Sequence, residues 1–326
     1  MSETHDITFH SMGSDVRLLI GPPLLRTASP PAQAAWRERA YIEDFAARLS
    51  RFRSDSELSA LNRDPRTRVP ASPLLRTAVR AGIWAAQRSE GLVDPTLTGA
   101  LERAGYATSL DRVPPASLEQ ALAAAPPRRP ARPHPEQLWR RISVDDPSAA
   151  VRRAVGVTFD TGGTGKGLCA DAVAHRLAGY TRFVVDCGGD LAIGGVGAQL
   201  EPYEVEVEHP LTGEAVRTLR IAAGGVATSG LNVRVWRDSR GRFAHHLLDP
   251  ASGLPAWTGL VGATALAPSA LEAETLSKMA LLLGPLGARR VLAEHGGLIV
   301  HDDGEVEGIG PLDRPRGALQ LAGRAA

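Results

Sequence analysis

The chain has 326 residues, of which 43% are hydrophobic and only 22% charged, a balance that suits one large or two closely packed globular units and excludes disordered, collagen-like and coiled-coil chains. Its 37 basic and 36 acidic side chains leave a formal net charge of +1. There is no basic excess for a phosphate backbone and no polybasic anchor, so neither a nucleic-acid partner nor membrane insertion is expected.

Cys169 and Cys187 form no CxxC or other zinc-ligand spacing and read as buried thiols. The opening residues have neither a basic n-region nor an apolar h-region, no lipobox is seen, and no run of about twenty apolar residues follows; a cytoplasmic protein is expected. Among the basic residues only Lys166 and Lys278 are lysines. In so arginine-rich a chain, a lysine marks a place that needs a compact ammonium, or it survives by chance.

In chain order, Ile7 to Gly21 reads as a strand interrupted at Met12-Gly13, and Gln33 to Phe52 as a helix with Trp36, Tyr41, Phe45 and Leu49 near one face. Asp55 or Ser56 can N-cap a short helix ending at Asn62. Leu74 to Arg88 reads as a further helix ended by Gly91, before a turn at Asp94-Pro95. Prolines and arginines crowd residues 113–135, which suits a surface excursion around one short helix. Val155 to Asp160 reads as a strand, Gly162 to Gly167 as a loop, Leu168 to Leu177 as a helix and Phe183 to Cys187 as a buried strand. Tyr203 to His209 alternates at period two, and Leu219 to Ala222 continues the sheet. Arg234 to Arg237 and Phe243 to Leu248 read as a hairpin, and Ala270 to Leu283 as a helix with Leu276, Met279, Ala280 and Leu283 on its apolar side. Helices inserted among antiparallel strands indicate an α+β fold.

The segment DTGGTGKG fails the P-loop pattern at Asp160 and Gly167. Residues Gly165 to Ala170 fit GxGxxA, with Asp186 and Asp190 near the acid position of a Rossmann turn, yet four residues separate the strand end from the first glycine and a lysine fills the tight turn. What remains is either an anion site, built from backbone amides, a helix start and Lys166, or a structural glycine turn. The glycines of VVDCGGD suit close approach to a ligand or a tight turn. His246 stands three residues before Asp249 and is a candidate general base oriented by it. Zinc through His245 and His246 is disfavoured because adjacent strand residues face opposite ways. Glu274 and Lys278, four apart, share a helix face.

Taken in order, these segments resemble the FAD:protein FMN transferase (ApbE-like) family. The resemblance rests on Met12-Gly13, SRFRSDSELSALN from Ser50, GLVDPTLTGAL from Gly91, FDTGGTGKGLCAD from Phe159, CGGD from Cys187, VATSG from Val226, HHLLDPASGLP from His245 and LEAETLSKMALLLG from Leu271. It implies one domain over residues 1–326, of α+β T-fold-related architecture, with FAD between two closely packed parts. The implied activity attaches FMN from FAD to a Thr or Ser hydroxyl of a target protein and releases AMP; a non-catalytic FAD carrier and an FAD pyrophosphatase are the alternatives. By the same resemblance, Met12, Phe52, Leu92, Val93, Asp94, Gly162, Lys166, Gly189, Asp190 and Leu247 contact FAD, while His246, Asp249 and Lys166 carry the chemistry. The family's magnesium site maps to Gly165, Glu274 and Lys278. An ammonium cannot ligate a cation, so either Ser277 supplies the hydroxyl, or Lys278 stands in as fixed positive charge, or the transferase activity is lost.

Overall fold

The computed structural model describes residues 4–313 apart from Arg26 and Arg112; the two ends of the expected 1–326 domain lie outside the described residues. Eight strands form the central sheet: β1 (His5–Ser11), β2 (Ser14–Ile20), β3 (Phe183–Cys187), β4 (Asp190–Gly194), β5 (Gly224–Gly230), β6 (Leu260–Ala267), β7 (Gly297–His301) and β8 (Val306–Ile309). Each pairs antiparallel with its neighbours in this series, so the sheet is a meander interrupted by long insertions. The first insertion, between β2 and β3, holds α1 (Pro31–Leu49), α2 (Glu57–Arg63), α3 (Pro73–Arg88), α4 (Thr98–Arg103), α5 (Leu118–Ala123) and α6 (Gly165–Arg176). Between β6 and β7 lies α7 (Ala270–Leu292). The mixed α and antiparallel β composition is the α+β class expected.

Burial follows the residue patterns. In β2 every second residue, Val16, Leu18 and Ile20, is buried and meets Ile42, Phe45 and Leu49 of α1 and Cys169, Ala170 and Val173 of α6. Strand β6 is buried at all positions, covered by α7 on one face and on the other by the core around Leu266, Val205 and Leu219, so it reads as an unbroken apolar run. Ribbon Tyr203–Glu208 with Ala215–Ile221 supplies that second cover. Among the described residues no helix is long and apolar enough to cross a membrane.

Several expectations are corrected. Residues 155–160 form no strand; the backbone of Phe159 is satisfied by the Asn62 amide, which donates to its carbonyl and accepts from its N–H, both at 2.8 Å. Helix α6 starts at Gly165 rather than Leu168, and Trp36 is exposed on α1, out of phase with the buried stripe. The expected hairpin splits: Val235–Arg237 pairs with Phe243–His245, and Leu248–Asp249 with Leu254–Pro255. Helix α7 continues past Leu283, because the chain kinks at Gly284 (φ 71°) and resumes with Pro285. Met279 and Leu283 are half-buried, whereas Glu274 and Ser277 are buried. The proline-rich residues 113–135, unlike the segments above, need no correction: they are mostly exposed around α5 and are anchored where Ala131 donates to the Leu282 carbonyl and Leu118 and Ala121 join the α7 core.

The start of α6 is wedged against the start of α7. A Cβ on Gly167 would lie 2.7 Å from the Ala270 carbonyl oxygen and 2.8 Å from Leu271 Cα, backbone that cannot yield as a side chain could. Gly167→Ala is therefore expected to destabilise the protein by about 1–3 kcal/mol in chemical denaturation. Gly179→Ala, with nothing within 4 Å of the added carbon, is the control and should change stability by no more than about 0.5 kcal/mol.

Candidate active site

One end of the sheet carries two hairpin tips. Met12 (φ 54°) and Gly13 (φ 69°) turn β1 into β2, and Gly188 (φ 67°) and Gly189 (φ 88°) turn β3 into β4, the paired positive φ angles of two-residue hairpins. At Gly188 the tight-turn reading holds, and the glycine is also required by packing within the protein, since a Cβ there would sit 2.2 Å from Ser14 Oγ and 3.0 Å from Lys166 Nζ. These tips, the start of α6, the segment after α3 and the strand end at His246 enclose a cleft of about 740 Å³.

Most of the sequence-selected residues line it: Met12, Phe52, Leu92, Val93, Asp94, Gly162, Gly165, Lys166, Asp190, His246, Leu247, Glu274 and Lys278. Three do not. Gly189 serves the turn, its N–H donating to Asp186 Oδ1 at 2.8 Å. Ser277 Oγ is buried within α7, 2.8 Å from Ser229 Oγ and 3.1 Å from the Glu274 carbonyl, so it offers the cleft no hydroxyl. Asp249 does not orient His246: its carboxylate accepts from the Arg132 N–H at 2.8 Å and the Ser252 hydroxyl at 2.7 Å, tying down the turn that follows.

The glycine loop is braced from three sides. Thr161 Oγ1 donates to the Leu49 carbonyl, Asp160 N–H to the Pro95 carbonyl at 2.8 Å, and Lys166 Nζ to the Gly188 carbonyl at 3.3 Å. On α7, Glu274 reaches back: Oε2 accepts from the Gly167 N–H at 2.9 Å and Oε1 from Lys278 Nζ at 2.8 Å. This is no surface pair, for the side chains are 1% and 12% exposed. Nearby Asp190 is pushed up to about 7 by burial and the Glu274 charge, against the pull of Lys278 and Lys166.

Three buried polar atoms of the cleft residues lack partners: Asp94 Oδ2, Arg51 Nη2 and His246 Nδ1. Asp94 Oδ1 is used by the Thr96 N–H and hydroxyl, leaving the second oxygen to a ligand donor, and burial raises its carboxyl. Arg51 pairs with Asp160 at 3.3 Å and lies over the rings of Phe52 (4.1 Å) and Tyr106 (4.5 Å). Arg51, Tyr106 and Arg234 were not picked out from the sequence. Arg51 and Phe52 stand in one of the quoted motifs, but Tyr106 and Arg234 carry no local signal. His246 is half-buried; desolvation first, then His245 and the charges of Lys278, Arg234 and Lys166, push its imidazole down to about 3. It is neutral at pH 7, the form that can accept a proton. His245 faces the core as alternation requires, edge-on to Trp257 at 4.6 Å.

A family profile described as "ApbE family" matches residues 12–300. The chain is 28% identical over 254 residues to a Klebsiella pneumoniae protein named FAD:protein FMN transferase, covering 76% of this chain and 70% of that one. A Haemophilus influenzae protein of the same name is 26% identical over 287 residues, 80% and 75% of the two chains. Among solved structures, an ApbE protein from Thermotoga maritima superposes with a TM-score of 0.76 at 23% identity, over 96% of this chain and 100% of the other. The Pseudomonas stutzeri flavinyl transferase ApbE gives 0.73 at 24%, over 94% and 95%. At these identities the superpositions establish the fold.

His245 generates a pH test. Burial holds its imidazole near 3, below the ~6.5 of a free histidine, so the unfolded chain binds the proton first and this residue's contribution to stability falls as pH drops from about 6.5 toward 3. His245→Phe keeps a ring against Trp257 and removes that proton. Urea titrations of both proteins from pH 7 to 4 should show a smaller acid loss in the variant by up to one proton; parallel curves would contradict a buried neutral His245. The raised carboxyls of Asp94, Asp160 and Asp190 act in the opposite direction but are common to both proteins.

Proposed function

The chain belongs to the ApbE family, and from that premise we propose that it is an FAD:protein FMN transferase acting as one domain. The observation that carries the reading is the convergence of Lys166 with His246, Asp94 and Arg51, each of these three bearing an unpartnered buried atom, on a single cleft large enough for a dinucleotide. In the reaction, the hydroxyl oxygen of a Thr or Ser on a target protein attacks the FMN phosphorus of bound FAD. The new O–P bond forms as the pyrophosphate P–O bond breaks, the hydroxyl proton passes to His246, and AMP leaves.

Each residue has a physical part. Lys166 and the amides at the start of α6 hold the pyrophosphate. Asp94 Oδ2 accepts from a donor of FAD, Phe52 with Tyr106 offers a ring platform, and Met12, Leu92, Val93 and Leu247 form apolar walls. Burial first, then His245 and the surrounding cations, make His246 a poor base in the free protein. Phosphate charge on Lys166 offsets those cations and raises the imidazole's basicity when substrate is present. Asp249 acts one step removed, by fixing the turn after His246.

Magnesium, which the resemblance brings with it, does not fit the residues present. Both oxygens of Glu274 are engaged, the ammonium of Lys278 fills the fourth position along the helix, and the Ser277 hydroxyl turns inward. Among the described residues no group of three or more His, Cys, Asp or Glu side chains could hold a metal ion.

Purified protein with FAD and a threonine-bearing target should release AMP and leave flavin fluorescence on the target after denaturation. AMP release without a target would make it a pyrophosphatase, and tight binding with no release a carrier. FAD should raise the melting temperature by mass action and NAD should not. His246→Ala is expected to slow transfer by roughly 10²–10⁴-fold with FAD affinity nearly unchanged.

A further inference from the structure

We propose that the Lys278 ammonium is the resident cation of the transfer site, supplying beside Glu274 the positive charge for the phosphates of FAD, so that this chain transfers FMN without a divalent metal. The inference rests on the transferase reading and deepens it. Its first support is placement: the chain has only two lysines, and both line this cleft, Lys166 at the start of α6 and Lys278 two turns into α7. Everywhere else a positive charge is carried by arginine. A compact ammonium with three donors can sit on a buried carboxylate and still point one at a phosphate, whereas a planar guanidinium needs more room.

The second support is how Glu274 is held. One oxygen accepts from the Gly167 N–H and the other from Lys278 Nζ, so a cation on a remaining lone pair of Oε1 would sit directly beside the ammonium, and one on Oε2 would compete with the donor that holds the helix start. The third is charge. Lys278 Nζ already stands 2.8 Å from the Glu274 carboxylate in a nearly dry setting, so a divalent ion on that carboxylate would meet the ammonium at contact distance. Lys278 would touch substrate, and in that sense it is a catalytic residue: charge developing on the phosphoryl oxygens during displacement is met by a fixed donor that needs no reorganisation.

The test uses the full chain, with Mn²⁺ as the probe. Titration followed by electron paramagnetic resonance, with and without FAD, should show no saturable site in the native protein, and transfer in EDTA should match transfer in magnesium. Lys278→Thr removes the ammonium and places a hydroxyl on the Glu274 face; it should gain a saturable Mn²⁺ site and become magnesium-dependent. The double variant Glu274→Gln with Lys278→Met, which leaves no unpaired buried charge, should lose transfer by roughly 10²-fold or more in either condition. A saturable Mn²⁺ site in the native protein, or native transfer rates in the double variant, would overturn the proposal. If the native protein binds FAD but never releases AMP, the transferase reading fails, and the Mn²⁺ titration still decides whether Lys278 excludes the metal.

Discussion

Two helices that begin against each other organise this molecule. Asp171 of α6 accepts from the Ala270 and Leu271 N–H groups at the start of α7, at 2.7 and 2.9 Å, and Glu274 of α7 accepts from the Gly167 N–H at the start of α6. Each helix thus satisfies donors that the other leaves open, which a helix start must otherwise find in solvent or its own cap. The reciprocity works only at the backbone separation that Gly167 permits. It also fixes the site, because Lys166 precedes that glycine and Lys278 stands one turn beyond Glu274.

The sheet does the rest by bringing remote segments to one end. Because each strand of the meander returns beside the last, the tips at Met12-Gly13 and Gly188-Gly189 point the same way and meet the two helix starts. Arg234 Nη2 donates to the Gly13 carbonyl at 3.0 Å, and so joins the far insertion to the first hairpin. The left-handed conformation of Met12, costly for a residue with a Cβ, is held by the hairpin register on either side. Long insertions between strands are tolerated because they leave the strand pairing untouched.

What could be read from the residues alone was what local chemistry dictates. The Met-Gly and Gly-Gly pairs mark turns, Asp94-Pro95 turns the chain through the Thr96 N–H, and the pairing of scarce lysines with motif positions marked Lys166 and Lys278. Sequence proximity suggests contact between Asp249 and His246, but the partners of Asp249 are Ser252 and Arg132, the latter brought to it only by the fold. Residues 155–160 looked like a strand since Val157 and Phe159 are buried at alternate positions, but the pairing that decides a strand comes here from the Asn62 side chain. Tyr106 and Arg234 come from segments whose approach to the cleft depends on the insertions' packing, and no period or spacing reports that.

The same burial that makes the site legible in the structure sets its chemistry. Three cations, Lys166, Arg234 and Lys278, face His246, while the carboxylates nearest the lysines are either fully engaged, as Glu274 is, or, as at Asp190, pushed toward neutrality by burial and by Glu274. A cleft of this kind favours an anion, and its histidine is held neutral first by burial and then by His245 and the surrounding cations. In the proposed reaction the pyrophosphate supplies the missing charge, offsets the cations and makes the imidazole a better acceptor at the moment an acceptor hydroxyl can arrive. Base strength is then tied to substrate occupancy, which keeps His246 weak toward solvent protons in the free protein and useful once FAD is bound.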